Sequence, residues 1–367
     1  MKYLYAFLIF VPIAIIARFM HFPPIWVFAI SAIAIIPLSG VLGAATEAVA
    51  EHTSPAIGGL LNATMGNLAE LIIAAVALRA GLLDLVKASI TGSILGNLLL
   101  VLGAALFAGG LKFKVQRFNP HLAGFSSTVL VISVFGLFVP ALFQQLHPDP
   151  ARVATLKMSY FVAGLLIAGY AASLFYSLRT HRSAFLTVGE GVVEGAPEGA
   201  PEGAPQGAPE VTVAPHWSSK KALTILVASA VAIGVVSEIL VSATEEAVEV
   251  MGLSQFFVGL IVVPIIGNAA EHSSAILMAM KNRMDLAINV AVGSSIQVAL
   301  LIGPVLVFLG LMFGQRMDLA VSPMEVASIA LAVAVANSVV RDAESNWLEG
   351  LFLLLAYAIL GVAFFYF

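Results

Sequence analysis

The chain contains no cysteine. That absence excludes disulfide scaffolds, thiolate metal sites and cysteine nucleophiles, and it leaves any metal to oxygen ligands or to one of seven histidines. Charge is scarce too: Asp, Glu, Lys and Arg together make up 10% of the residues, and the net charge of −4 is spread along the chain. No basic stripe is available for a nucleic acid. Hydrocarbon fills the space instead. With 60% hydrophobic residues over 367 positions, the apolar surface exceeds what a water-soluble fold can bury, whereas a bilayer accommodates it. The run from Met1 to Arg18 has no small-residue cleavage site before "RFMHFPP", so it reads as a retained first helix rather than a signal peptide.

A bilayer core needs about 20 apolar residues per helix. Charged and helix-breaking residues then cut the chain into eleven spans: 4–20, 25–50, 55–79, 88–110, 122–144, 154–178, 221–249, 254–280, 286–313, 324–341 and 346–366. The expected fold is thus an all-α integral membrane protein of about eleven transmembrane helices. Ten or twelve stay open, because "AILMAMKNRMDLAINV" separates two spans by only a few residues. Barrel strands would alternate over ~10 residues, and these runs do not. With the N-terminus cytoplasmic, eleven Lys and Arg fall on inside segments and six on outside ones, so the positive-inside rule favours that orientation.

Between spans six and seven, E/Q-G-A-P repeats four times from Glu194 to Pro209. Proline and glycine at that density cannot continue a helix, and the segment reads as a linker. The expected organisation is an N-terminal helix (1–22), a five-helix repeat (23–180), a Pro/Gly/Glu-rich cytoplasmic linker (181–219) and a second five-helix repeat (220–367).

The repeats are visible as duplicated motifs. "GNLAE" ends at Glu70 and "GNAAE" at Glu271; Ser93 and Ser294 each follow their glutamate by 23 residues. "ATE" recurs at Ala45 to Glu47 and Ala243 to Glu245. An odd number of spans per repeat makes the two copies enter the membrane from opposite sides, an inverted repeat with its site near mid-depth.

An ionised carboxylate at the bilayer centre costs several kcal/mol even on lenient scales, and no Lys or Arg stands near Glu70 or Glu271 in their spans. Protons or a metal ion remain to neutralise them. Asn67 and Asn268 lie three residues before the two acids, on the same helix face. Carboxylates, amide oxygens and main-chain carbonyls are what hard cations such as Ca²⁺ take. Gly66, Gly267 and Pro264 favour local unwinding that would free such carbonyls. Asn97 and Gln297 follow the acids by 27 and 26 residues and add further amides. One divalent ion or two protons would leave the pair with the same charge, so the two loads exclude each other.

"GLLNAT" before "GNLAE", and "GLIVVPIIGNAAEH" followed by "GSSIQ", resemble the two α-repeats of the cation/proton exchanger family within the Ca²⁺/cation antiporter superfamily. That resemblance implies eleven helices, an acidic loop between halves, and export of cytosolic Ca²⁺ in exchange for H⁺, with Glu70 and Glu271 binding the ion. It implies a proton and cation path through Glu47 and Glu245, which match glutamates of helices two and seven in such relatives. No prosthetic group is implied; Ca²⁺ and H⁺ are cargo. The "P-E" motif of sodium-coupled relatives is missing.

Other readings stand beside this one. Ser93, Ser294 and Thr46 can bond back to helix carbonyls, and Asn67 and Asn268 can join helices. His272, next to Glu271, is a candidate proton relay. The same fold could exchange Mn²⁺, Na⁺ or K⁺. An intramembrane hydrolase built on Glu245 and Glu246 would need Arg or His on nearby spans, and "TEEAVEV" offers neither. A bacterial or archaeal cytoplasmic membrane is the expected location, with an organelle membrane such as a vacuole as the alternative.

Overall fold

The computed structural model describes residues 5–148, 152–180 and 217–367. Apolar runs become helices because a hydrocarbon interior offers backbone N–H and C=O groups no partner except one another. In chain order these are α1 (Phe7–Phe19), α2 (Pro24–Glu51), α3 (Pro55–Met65), α4 (Leu68–Arg79), α5 (Leu83–Lys112), α6 (Pro120–Leu146) and α7 (Val153–Thr180). The second half supplies α8 (Ser219–Met251), α9 (Gln255–Gly267), α10 (Ala269–Ala279), α11 (Met284–Phe313), α12 (Pro323–Val340) and α13 (Trp347–Phe365). Polar residues at the punctuation points start several of them. Ser254 accepts from the Phe257 amide at 3.0 Å, and Ser322 with Glu325 and Asn346 with Glu349 form capping boxes. The strands among the described residues are β1 (Gln116–Arg117) and β2 (Glu344–Ser345), paired antiparallel with Gln116 opposite Ser345.

Among the described residues, eight helices are long and apolar enough to cross a bilayer, or up to ten if each bent pair is one span. The expected eleven is not reached by this measure, because the described part of the first span is the shorter helix α1. A second departure concerns α5, which begins at Leu83 rather than at 88 and takes Lys87 inside the helix. The Glu194–Pro209 linker lies outside the described residues.

Each half runs through the same order: a long helix, a bent pair, a long helix with a π-turn, then two further helices. The π-turns occupy Gly96–Val101 and Val298–Ile302. The α3–α4 bend is 42° and the α9–α10 bend is 61°. The second bend falls at Asn268, four residues beyond Pro264, the second residue of the short helical piece Val263–Gly267. Proline therefore sets up the approach to the break and not the break itself. The halves interleave. The most extensive helix contact joins α2 to α8, and α5 packs so closely on α9 that a Cβ at Gly259 would meet Leu85 O at 2.8 Å.

Candidate cation site

Asn67 and Asn268 occupy the two breakpoints, with φ/ψ of −95°/24° and −107°/11°, and neither side chain caps its own helix. Helices α4 and α10 therefore start at Leu68 and Ala269 and place Glu70 and Glu271 in their first turns. A first turn presents unpaired N–H groups and the positive end of the helix dipole, worth about 0.3–1 kcal/mol to an acid. The breaks thus put both acids where the backbone favours negative charge.

Freed from capping, the asparagine side chains reach across the molecule. Asn268 Nδ2 donates to Glu70 Oε1 at 3.1 Å, and the same oxygen accepts from the Ser93 hydroxyl. The Ser294 hydroxyl donates to Asn67 Oδ1 at 2.9 Å and accepts from Asn97 Nδ2 at 3.0 Å. A Cβ added at Gly66 would stand 3.7 Å from both Gln297 Oε1 and Glu271 Oε1. The first break, Gln297 and Glu271 therefore share one small space, and Glu271 is near enough to act electrostatically on Glu70.

This cluster is buried, with Glu70 5% and Asn67 1% exposed, yet it is not satisfied. Glu70 Oε2, Glu271 Oε2, Asn67 Nδ2 and Gln297 Nε2 are buried without a hydrogen-bond partner. Each such atom costs about 1–3 kcal/mol. Two of the four are carboxylate oxygens, one from each half, and rotating the Gln297 amide exchanges its donor for a further acceptor. No Lys or Arg balances the acids: the ion pairs among the described residues are Arg79–Glu238, Lys87–Asp318, Arg117–Glu344 and Arg152–Asp318. Nor do three or more His, Cys, Asp and Glu gather anywhere among the described residues. The donor set is two carboxylates with amides and hydroxyls, an arrangement that suits a hard cation or protons.

Of the residues singled out in the sequence, Glu70, Glu271, Asn67, Asn268, Ser93, Ser294, Asn97 and Gln297 meet here. The two serines turn their hydroxyls into the cluster. Thr46 instead bonds back to Leu42 O at 3.0 Å, and its counterpart Thr244 to Leu240 O at 2.8 Å. Glu47 and Glu245 stand apart: both are exposed near the ends of their helices, and neither shares a hydrogen bond with the cluster among the described residues. Glu245 faces Gln255 Nε2 at 3.5 Å and lines two adjoining cavities of about 540 and 360 Å³. His272 is half-buried beside Glu271, and its amide donates to Asn268 O at 2.9 Å.

Sequence reading passed over a second buried polar cluster. Lys87 pairs with Asp318, and Thr91 with Glu325. Hydropathy carries no signal for it, since a lysine between apolar runs reads as loop.

A profile of the sodium/calcium exchanger protein family matches residues 23–179 and 221–366. The chain is 40% identical over 363 residues to the Ca²⁺/H⁺ antiporter of Aphanothece halophytica, covering 99% of this chain and 96% of that protein. It is 38% identical over 343 residues to vacuolar cation/proton exchanger 2 of Oryza sativa subsp. japonica, covering 93% and 76%. Among solved structures, native YfkE superposes with a TM-score of 0.81 at 36% identity, covering 98% of this chain and all of that one.

Proposed function

The chain belongs to the sodium/calcium exchanger protein family, and from that premise we propose that it exchanges Ca²⁺ for H⁺ across a membrane by alternating access, exporting Ca²⁺ from the cytosol. The observation that carries this reading is the meeting of Glu70 and Glu271, one from each half, with unpartnered carboxylate oxygens and no basic group. Such a pair needs a load. A divalent cation or two protons bring the same charge, so the acids release one when they take the other. Relatives named Ca²⁺/H⁺ antiporter and cation/proton exchanger support this choice of ions.

In this scheme Glu70 and Glu271 are the ligands that titrate, and Asn67, Asn268, Asn97 and Gln297 supply neutral oxygens. Ser93 and Ser294 orient the acids, while Glu47, Glu245 and His272 serve the path between site and water. The halves form an inverted repeat and the N-terminus is cytoplasmic. The host membrane is a bacterial or archaeal cytoplasmic membrane, with a vacuole-like membrane as the alternative. The protein is a transporter and not an enzyme, and its mechanism calls on no prosthetic group.

Inside-out vesicles with an imposed pH gradient test the proposal. Radioactive Ca²⁺ uptake is expected in the wild type and lost in Glu70→Gln and in Glu271→Gln; full uptake in both variants would overturn it. Competition by Mn²⁺, Na⁺ and K⁺ in the same vesicles ranks the cations.

A further inference from the structure

We infer that Lys87 is a positioning residue for the cation site, holding α5 in place through Asp318 so that Ser93 and Asn97 face the paired glutamates. The inference rests on the exchanger reading of the central cluster. Lys87 Nζ lies 2.5 Å from Asp318 Oδ1 and donates to the Ala320 carbonyl at 3.0 Å. Asp318, itself 1% exposed, accepts the Ala320 amide on the same oxygen at 2.9 Å and Arg152 on the other at 3.3 Å. One turn further along α5, Thr91 Oγ1 donates to Glu325 Oε1 at 2.8 Å, and Glu325 Oε2 holds the Ser322 amide at 2.7 Å. Two successive turns of a first-half helix are thereby bound to one second-half segment.

Ser93 and Asn97 lie two and six residues beyond Thr91. The helix is regular through Leu95 and widens into the π-turn at Gly96, so whatever fixes Lys87 and Thr91 also fixes where Ser93 points and where the turn carrying Asn97 begins. Burying a lysine in a span is costly, and the geometry meets the cost with a carboxylate and a carbonyl together.

The duplication isolates this arrangement. At the spacing of 201 residues that places Glu70 on Glu271 and Ser93 on Ser294, Lys87 falls on Ile288 and Thr91 on Val292, both buried and apolar. The repeats keep the site residues and differ in the ties behind them. On the second-half helix α11, Asp285 instead accepts the Asn119 amide at 2.6 Å. Among the described residues α11 makes no ion pair of its own, so removing the tie on α5 should act first on Ser93 and Asn97.

Purified protein in liposomes with an imposed pH gradient, assayed for Ca²⁺ uptake and for thermal midpoint, tests this. Lys87→Met leaves Asp318 short of a partner, so the informative variant is Lys87→Met with Asp318→Asn, which removes both charges. That double variant should keep a near-wild-type midpoint yet raise the KM for Ca²⁺ about tenfold with little change in maximal rate, and Lys87→Arg should restore KM. Thr91→Val, which removes the neighbouring tie to Glu325 and leaves the Lys87–Asp318 pair intact, should raise KM in the same direction and gives the answer if the double variant misfolds. A wild-type KM in the folded double variant, or in Thr91→Val where the double variant does not fold, overturns the role of Lys87. Wild-type liposomes that take up no Ca²⁺ overturn the exchanger reading itself, a separate result.

Discussion

Asn268, at the break in the second half, donates through Nδ2 to Glu70 Oε1 of the first half at 3.1 Å. This bond ties a breakpoint of one repeat to the acid of the other. It makes the orientation of Glu70 depend on the bend between α9 and α10, so the two halves form one site and not two.

Replacing Asn268 with Leu removes that donor while keeping the branched side-chain shape. A hydrogen bond to a charged group is worth about 1.5–3 kcal/mol, so apparent Ca²⁺ affinity should fall by one to two orders of magnitude. Uptake measured against Ca²⁺ concentration in vesicles checks this, with Asn268→Gln expected to recover part of the loss.

The two serines are not equivalent although the repeat pairs them. Ser93 donates to Glu70, whereas Ser294 links Asn97 and Asn67. Ser294→Ala should therefore impair Ca²⁺ uptake more than Ser93→Ala, by roughly a further fivefold for one extra bond of about 1 kcal/mol. Parallel uptake curves for the two variants decide it.

The crossing of α5 over α9 depends on the absence of side chains. A Cβ at Gly259 would crowd Leu85 O at 2.8 Å and Ala88 Cβ at 3.0 Å, while one at Gly43 would meet nothing within 4 Å. Gly259→Ala should destabilise by about 1–3 kcal/mol, and Gly43→Ala should be neutral or mildly stabilising in its helix. Thermal midpoints in detergent give the comparison.

Much of this site was legible because duplication marks it. Glu70 and Glu271, with Asn67, Asn268, Ser93 and Ser294, stand at equal spacings in two apolar segments, and a charge in hydrocarbon demands a reason. Residues outside the duplication were read less well. Hydropathy puts Lys87 in a loop because it treats any lysine between spans as punctuation; its partner Asp318 is 231 positions away, and no local pattern records the pairing. The bends are hidden for a related reason. A break at Asn67 or Asn268 leaves composition unchanged, so each bent pair reads as one apolar run. Glu47 and Glu245 share the "ATE" echo, but their exposed places near helix ends follow from where α2 and α8 stop, which hydropathy fixes only to within a few residues.

Proton release tests the central claim most directly. Ca²⁺ is added to weakly buffered purified protein at a series of pH values, with a pH dye and a Ca²⁺ probe read together. Because the same two carboxylates must shed protons to hold the cation, apparent Ca²⁺ affinity should weaken as pH falls through their titration range, and protons released per Ca²⁺ bound should rise. Both effects should vanish in the Glu70→Gln, Glu271→Gln double variant. Ca²⁺ binding that releases no protons at any pH, or release undiminished in the double variant, would contradict the shared-acid account.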